Sequence, residues 1–128
     1  MLFPDTNPDL RQFKAAGGKL ISYQGTHDAL EIPGAIFDYY ETAERTMGGR
    51  AATQDFFRLF AIPGMNHCTE GEGVFAFNYL SYLEAWVERG QAPDVMVGAH
   101  VKDLAPGAGY GVRQPLDPGT PVSFTRPV

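Results

Sequence analysis

"FFRLFAIPGMNHC", residues Phe56 to Cys68, carries the reading that decides the fold. The run of large apolar residues from Phe56 to Ile62 predicts a strand. Pro63-Gly64 ends the run in a turn. His67 follows two residues after Met65, next to Cys68, the chain's one cysteine. Strand, tight turn and histidine is an arrangement that presents a general base beyond the carboxyl end of a strand.

Working upstream, "KLISYQG" predicts a strand over Lys19 to Tyr23, ended by Gly25 and followed by the polar loop "THDALEIPG". Between the two strands, "AIFDYYETAERTMGG" predicts an amphipathic helix. Ile36, Tyr40, Ala43 and Met47 recur at helical spacing, and Gly48-Gly49 stops it. Further upstream, "NPDLRQFKAAGG" predicts a short helix, with Asn7 as its cap and Pro8 in its first turn. Downstream, a long helix is predicted over about Val74 to Arg89. Ala76, Leu80, Leu83 and Val87 form one stripe, and Phe75, Tyr79, Tyr82 and Trp86 a second, so it reads as packed on a sheet. Gly90 and Pro93 end it, "DVMVGAHV" reads as a strand, and "VSFTRP" as a short last strand. "LAPGAGYGVRQPLDPGTP" is too rich in turn residues for regular structure.

The order β-α-β-α-β predicts an α/β fold, three-layer, with a mostly parallel sheet and flanking helices. At 128 residues the chain reads as a single domain over 1–128. Parallel βαβ units gather their strand-to-helix loops at one sheet edge, where ligands bind. Asp28 lies five residues past Tyr23, and His67 five past Ile62. Equivalent positions after neighbouring parallel strands meet in space, which pairs the two loops. Asp then His, each after a strand and one βα unit apart, is also the tail of the Ser…Asp…His order of α/β-hydrolases.

These residues carry a resemblance. "NPDLRQFKAAGGKLISYQGTHDALEIPGAIFDYYE", "FFRLFAIPGMNHC" and "LEAWVERGQAPD" resemble the carboxyl-terminal part of the tannase and feruloyl esterase family. That family typically reads "GGKLILYHGWADP…IPP" at the first loop and "FFRLFMVPGMGHC" at the second. The resemblance implies the carboxyl-terminal part of an α/β-hydrolase fold, and a serine esterase cleaving aromatic-acid esters of the gallate and ferulate type. It matches Asp28 to the triad acid and His67 to the triad base, and implies that Cys68 bonds a cysteine beside the nucleophilic serine. The chain departs from the pattern at "YQG" for "YHG" and at Thr26-His27 for the tryptophan-alanine pair. Its serines, Ser22, Ser81 and Ser123, lie in no G-x-S-x-G setting, so the nucleophile elbow and the partner cysteine are missing from this sequence. The chain alone is expected to be inactive, with the missing amino-terminal half of the hydrolase, or self-association, as its partner. The alternative is a free-standing, non-catalytic remnant that binds an aromatic ligand or a protein.

No cofactor is expected, and the family's lid calcium site would lie outside this chain. Zinc is the competing reading of His27, Asp28, His67 and Cys68, because all four share the two loops. Cys68 beside His67 could also be read as a nucleophile, although adjacent residues on a turn rarely aim at each other. The plainer readings make His67 a turn histidine, Asp28 a turn cap, His27 an exposed loop residue, and His100 a structural residue in a strand. Glu70 and Glu72 read as solvated surface, and the aromatic stripe as core. Net charge is −5 with no basic cluster, which argues against nucleic acid. No apolar run approaches the roughly 20 residues of a membrane span. The opening "MLFPDTNPDL" lacks the basic-then-apolar pattern of a signal peptide, whereas the family resemblance implies a secreted or periplasmic setting.

Overall fold

The computed structural model describes residues 7–30, 34–67, 71–100 and 122–124. Its first unit is β1 (Leu20–Gly25), α2 (Ala35–Thr46), α3 (Arg50–Gln54) and β2 (Phe57–Ile62), preceded by α1 (Arg11–Ala15). β1 and β2 run parallel, in register from Leu20 opposite Phe57 to Gly25 opposite Ile62. This is the βαβ unit that the alternation of apolar strand and amphipathic helix predicts.

Hydrophobic burial on β2 holds the unit together. Phe57, Leu59, Phe60 and Ile62 are all buried, so β2 is covered on both faces. One core cluster joins Phe56, Phe57 and Leu59 to Tyr40 of α2, with Ile36 and Met47 packed against it. Tyr40 meets Phe57 edge-on, with ring centroids 4.8 Å apart. Its hydroxyl donates to the Phe57 carbonyl at 3.2 Å, so the buried phenol keeps a hydrogen-bond partner. A second cluster, Ile62, Met65 and Val74, lies beneath the turn after β2, with Tyr23, Phe75 and Phe77 against it.

Several elements differ from expectation. α1 begins at Arg11 behind Leu10, which makes no side-chain cap. Asn7 instead accepts from the Asp9 amide at 3.0 Å, closing a turn one step before the helix. The long helix begins later than its periodicity suggests. α4 spans Tyr79–Arg89, and Asn78 caps it by accepting from the Ser81 amide. Residues Ala76 and Phe77 form the strand β3 instead. Phe75 and Phe77 are drawn out of the helix because they pack on the Ile62–Met65–Val74 cluster. The Phe77 ring also lies over Gly98, where any Cβ would collide with it.

β4 (Met96–Ala99) and β5 (Val122–Phe124) complete a separate three-stranded sheet, ordered β3-β4-β5 and antiparallel throughout. Among the described residues the parallel sheet is thus the β1–β2 pair, and β4, from the segment expected to extend it, returns beside β3 instead. The α4 stripe is also turned. Trp86 is buried between Lys19 and Arg58, whereas Leu80 and Val87 are 59% and 61% exposed. Tyr79, expected in the core, is half exposed, with its ring 5.8 Å from that of Tyr23. The segment "LAPGAGYGVRQPLDPGTP" lies outside the described residues.

Candidate active site

The carboxyl ends of β1 and β2 continue into two loops that hydrogen bonds stitch together. The Thr26 amide donates to the Ile62 carbonyl at 3.0 Å, and the His27 amide to the Met65 carbonyl at 3.1 Å. The Gly64 amide donates to the Thr26 hydroxyl oxygen at 3.0 Å. Gly25 lets the loops come this close. A Cβ there would overlap the carbonyl oxygens of Met65 and Asn66. Beneath the second loop, the Gly73 amide donates to the Gly64 carbonyl at 3.0 Å, and a Cβ on Gly73 would overlap the Pro63 carbonyl oxygen. Met65, fully buried, anchors the turn from below.

This framework brings Asp28 and His67 together. Nδ1 of His67 lies 2.8 Å from Oδ2 of Asp28. The Asp28 side chain is 2% exposed and that of His67 41%. Oδ1 of Asp28 accepts the Leu30 amide at 2.9 Å, and Oδ2 also accepts the Gln24 side-chain amide at 2.7 Å. Hydrogen-bond donors thus replace the water that burial removes from the carboxylate. With Asp28 ionised, the short contact requires the proton of the neutral imidazole to sit on Nδ1. The Nε2 lone pair is then left to accept a proton, the arrangement of a general base with its orienting acid.

The other candidates fall elsewhere. His27 is exposed, and the described bond it makes comes from its backbone. His100 lies just past β4 with Nδ1 2.7 Å from the Gly73 carbonyl and its ring edge-on to Phe75, so it braces the segment beneath the His67 turn. Cys68 and Glu70 lie outside the described residues. Among the described residues no group of three His, Cys, Asp or Glu side chains could hold a metal ion. Ser22 lies within β1 opposite Leu59, Ser81 in the first turn of α4, and Ser123 in β5.

Two residues escape a motif reading. Gln24 and Thr26 are legible in the sequence only as departures from a family pattern, yet one holds the carboxylate and the other clasps the loops. The usable signal was the spacing of Gln24 and Asp28 across a turn that folds back on its strand.

The family model described as "Tannase and feruloyl esterase" matches residues 2–116. A mono(2-hydroxyethyl) terephthalate hydrolase of Piscinibacter sakaiensis is 48% identical over 89 residues, covering 70% of this chain and 14% of that protein. The crystal structure of an esterase from Aspergillus oryzae superposes with a TM-score of 0.77 at 26% identity, covering 93% of this chain and 25% of that one. Feruloyl esterase B from the same organism gives 0.75 at 28% identity, covering 93% and 24%. The chain therefore spans about a quarter or less of the length of these proteins, and its fold is of the α/β-hydrolase type.

Proposed function

The chain belongs to the tannase and feruloyl esterase family, and from that premise we propose that it is the carboxyl-terminal part of a serine carboxylic-ester hydrolase acting on esters of aromatic acids. The observation that carries the reading is the 2.8 Å contact between His67 Nδ1 and the buried Asp28 carboxylate at the edge of a parallel strand pair. In this reading a serine from a segment outside this sequence is the nucleophile. His67 Nε2 takes the proton from its hydroxyl as the oxygen attacks the ester carbonyl carbon. The imidazolium then gives that proton to the departing alkoxide, and a water repeats the cycle to release the acid. Asp28 holds the ring in the productive tautomer and stabilises its charged form. The exposed Leu80 and Val87 on α4 support the reading of a piece whose apolar face the remainder of the hydrolase covers.

A chimera tests it. The matching segment of the Piscinibacter sakaiensis hydrolase is replaced by this chain, and turnover of mono(2-hydroxyethyl) terephthalate is measured. Turnover is expected, and His67→Ala should lower it by about 10³-fold or more. A folded chimera without turnover, or one indifferent to His67→Ala, would refute the proposal. The chain alone should not hydrolyse methyl gallate or methyl ferulate, because nucleophile and oxyanion donors are supplied from elsewhere.

A further inference from the structure

We propose that Gln24 is a positioning residue for the Asp28–His67 pair. Its side-chain amide fixes the Asp28 carboxylate in the one orientation that keeps the His67 proton on Nδ1. The inference deepens the proposed function and rests on its reading of these two residues as a working pair.

Gln24 sits next to the end of β1, opposite Ala61, and is half-buried. The chain turns back after it, with the Asp28 amide on the Gly25 carbonyl at 3.3 Å, and so delivers Asp28 onto the Gln24 side chain. The carboxylate is then pinned at both oxygens. The Leu30 amide holds Oδ1 at 2.9 Å, and Gln24 Nε2 holds Oδ2 at 2.7 Å, the oxygen that His67 also uses. The orientation of the amide is set by its surroundings. Nε2 faces both this carboxylate and, at 3.5 Å, the Gly25 carbonyl. The flipped amide would set Oε1 against two acceptors.

Without Gln24, the Oδ1 end keeps its donor while Oδ2 loses one. Rotation about the Cβ–Cγ bond then carries Oδ2 away from the ring. The His67 side chain is 41% exposed, so water competes for Nδ1 as soon as the carboxylate drifts. A hydrated neutral imidazole favours the proton on Nε2, which leaves no lone pair there to act as a base. Gln24 is neutral at every pH in question, so its hold on Asp28 does not itself titrate.

The test uses the full 128-residue chain with ring-¹⁵N histidine, above the titration range of imidazole. In the unsubstituted chain the His67 ring nitrogens should report the Nδ1–H form. Gln24→Met keeps the length and removes both donors. It should convert more than half of His67 to the Nε2–H form, while the amide signals of residues 26–28 and 62–67 stay folded. An unchanged Nδ1–H population in a folded Gln24→Met chain would overturn the proposal. Should that variant fail to fold, Asp28→Asn gives the reciprocal reading. The Gln24 side-chain amide signals must then move, because their acceptor changes from carboxylate to amide, and unmoved signals overturn the proposal equally. The readout needs no ester turnover. A failure here beside an active chimera rejects the role of Gln24 alone. The expected tautomer change beside an inactive chimera rejects ester hydrolysis alone.

Discussion

Gly25→Ala tests the loop framework with a single methyl group. Gly25 does not have a positive φ, so alanine brings no backbone strain of its own. The added methyl meets backbone: the carbonyl oxygens of Met65 and Asn66 and, at 2.8 Å, the Met65 carbonyl carbon. Backbone cannot rotate aside as a flexible side chain can, so the two loops must part by about 1 Å. Three stitches cross the seam, at 3.0, 3.1 and 3.0 Å. Parting by that amount takes all three beyond hydrogen-bond range. Losing all three at about 0.7–1 kcal/mol each costs about 2–3 kcal/mol. For a domain of this size that is a fall in Tm of about 8–12 °C. The same parting stretches the 2.8 Å contact between His67 and Asp28 past hydrogen-bond length. A thermal melt by circular dichroism and the ring-nitrogen spectrum of His67 read both effects on one sample. A Tm within about 2 °C of the unsubstituted chain, with the Nδ1–H form intact, would show that the close approach does not hold the site together.

Other outcomes are expected on the same grounds. Asp28→Asn in the chimera should lower turnover by about 10²–10⁴-fold with little change in KM, since an amide at that place no longer stabilises the imidazolium; steady-state kinetics check it. Tyr40→Phe removes the hydroxyl that donates to the Phe57 carbonyl and should cost about 1 kcal/mol in urea unfolding. Met65→Ala empties the fully buried anchor under the His67 turn and should cost about 2–5 kcal/mol by the same measurement. The Asp9 carboxyl, hydrogen-bonded by the Arg11 side chain, is held down to about 2. Its pairing therefore persists as pH falls through the ordinary carboxylate range and is lost only as pH falls through about 2. A ¹³C titration should show that low midpoint rise toward the ordinary value in Arg11→Ala, stopping short of it because the residue 11 backbone amide still donates to the carboxylate.

The sequence by itself determined the β1–α2–β2 unit and the pairing of Asp28 with His67. Each rests on a strong local signal: the apolar run at Phe57–Ile62 (interrupted only by Arg58), the helical spacing of Ile36, Tyr40 and Ala43, and a Gly or Pro where each strand ends. Parallel pairing then puts equal offsets after two strands at one edge, so a count along the chain is already a distance in space. The course of the chain beyond β2 was decided only in three dimensions. Phe75 and Ala76 fall in the two helical stripes read from the sequence, yet the short apolar run they open fits a strand as well, and periodicity alone does not separate the two readings. The packing of Phe75 and Phe77 on Ile62, Met65 and Val74 settles it, starts the helix only after Asn78, and turns β4 back against β3. The placement of Gln24 and Thr26 is of the same kind. Both are polar residues where β1 runs into its loop, and such a side chain acquires its partner from whatever the neighbouring segment brings within about 3 Å. Here the tight seam at Gly25 does so, setting Gln24 on the carboxylate that His67 shares.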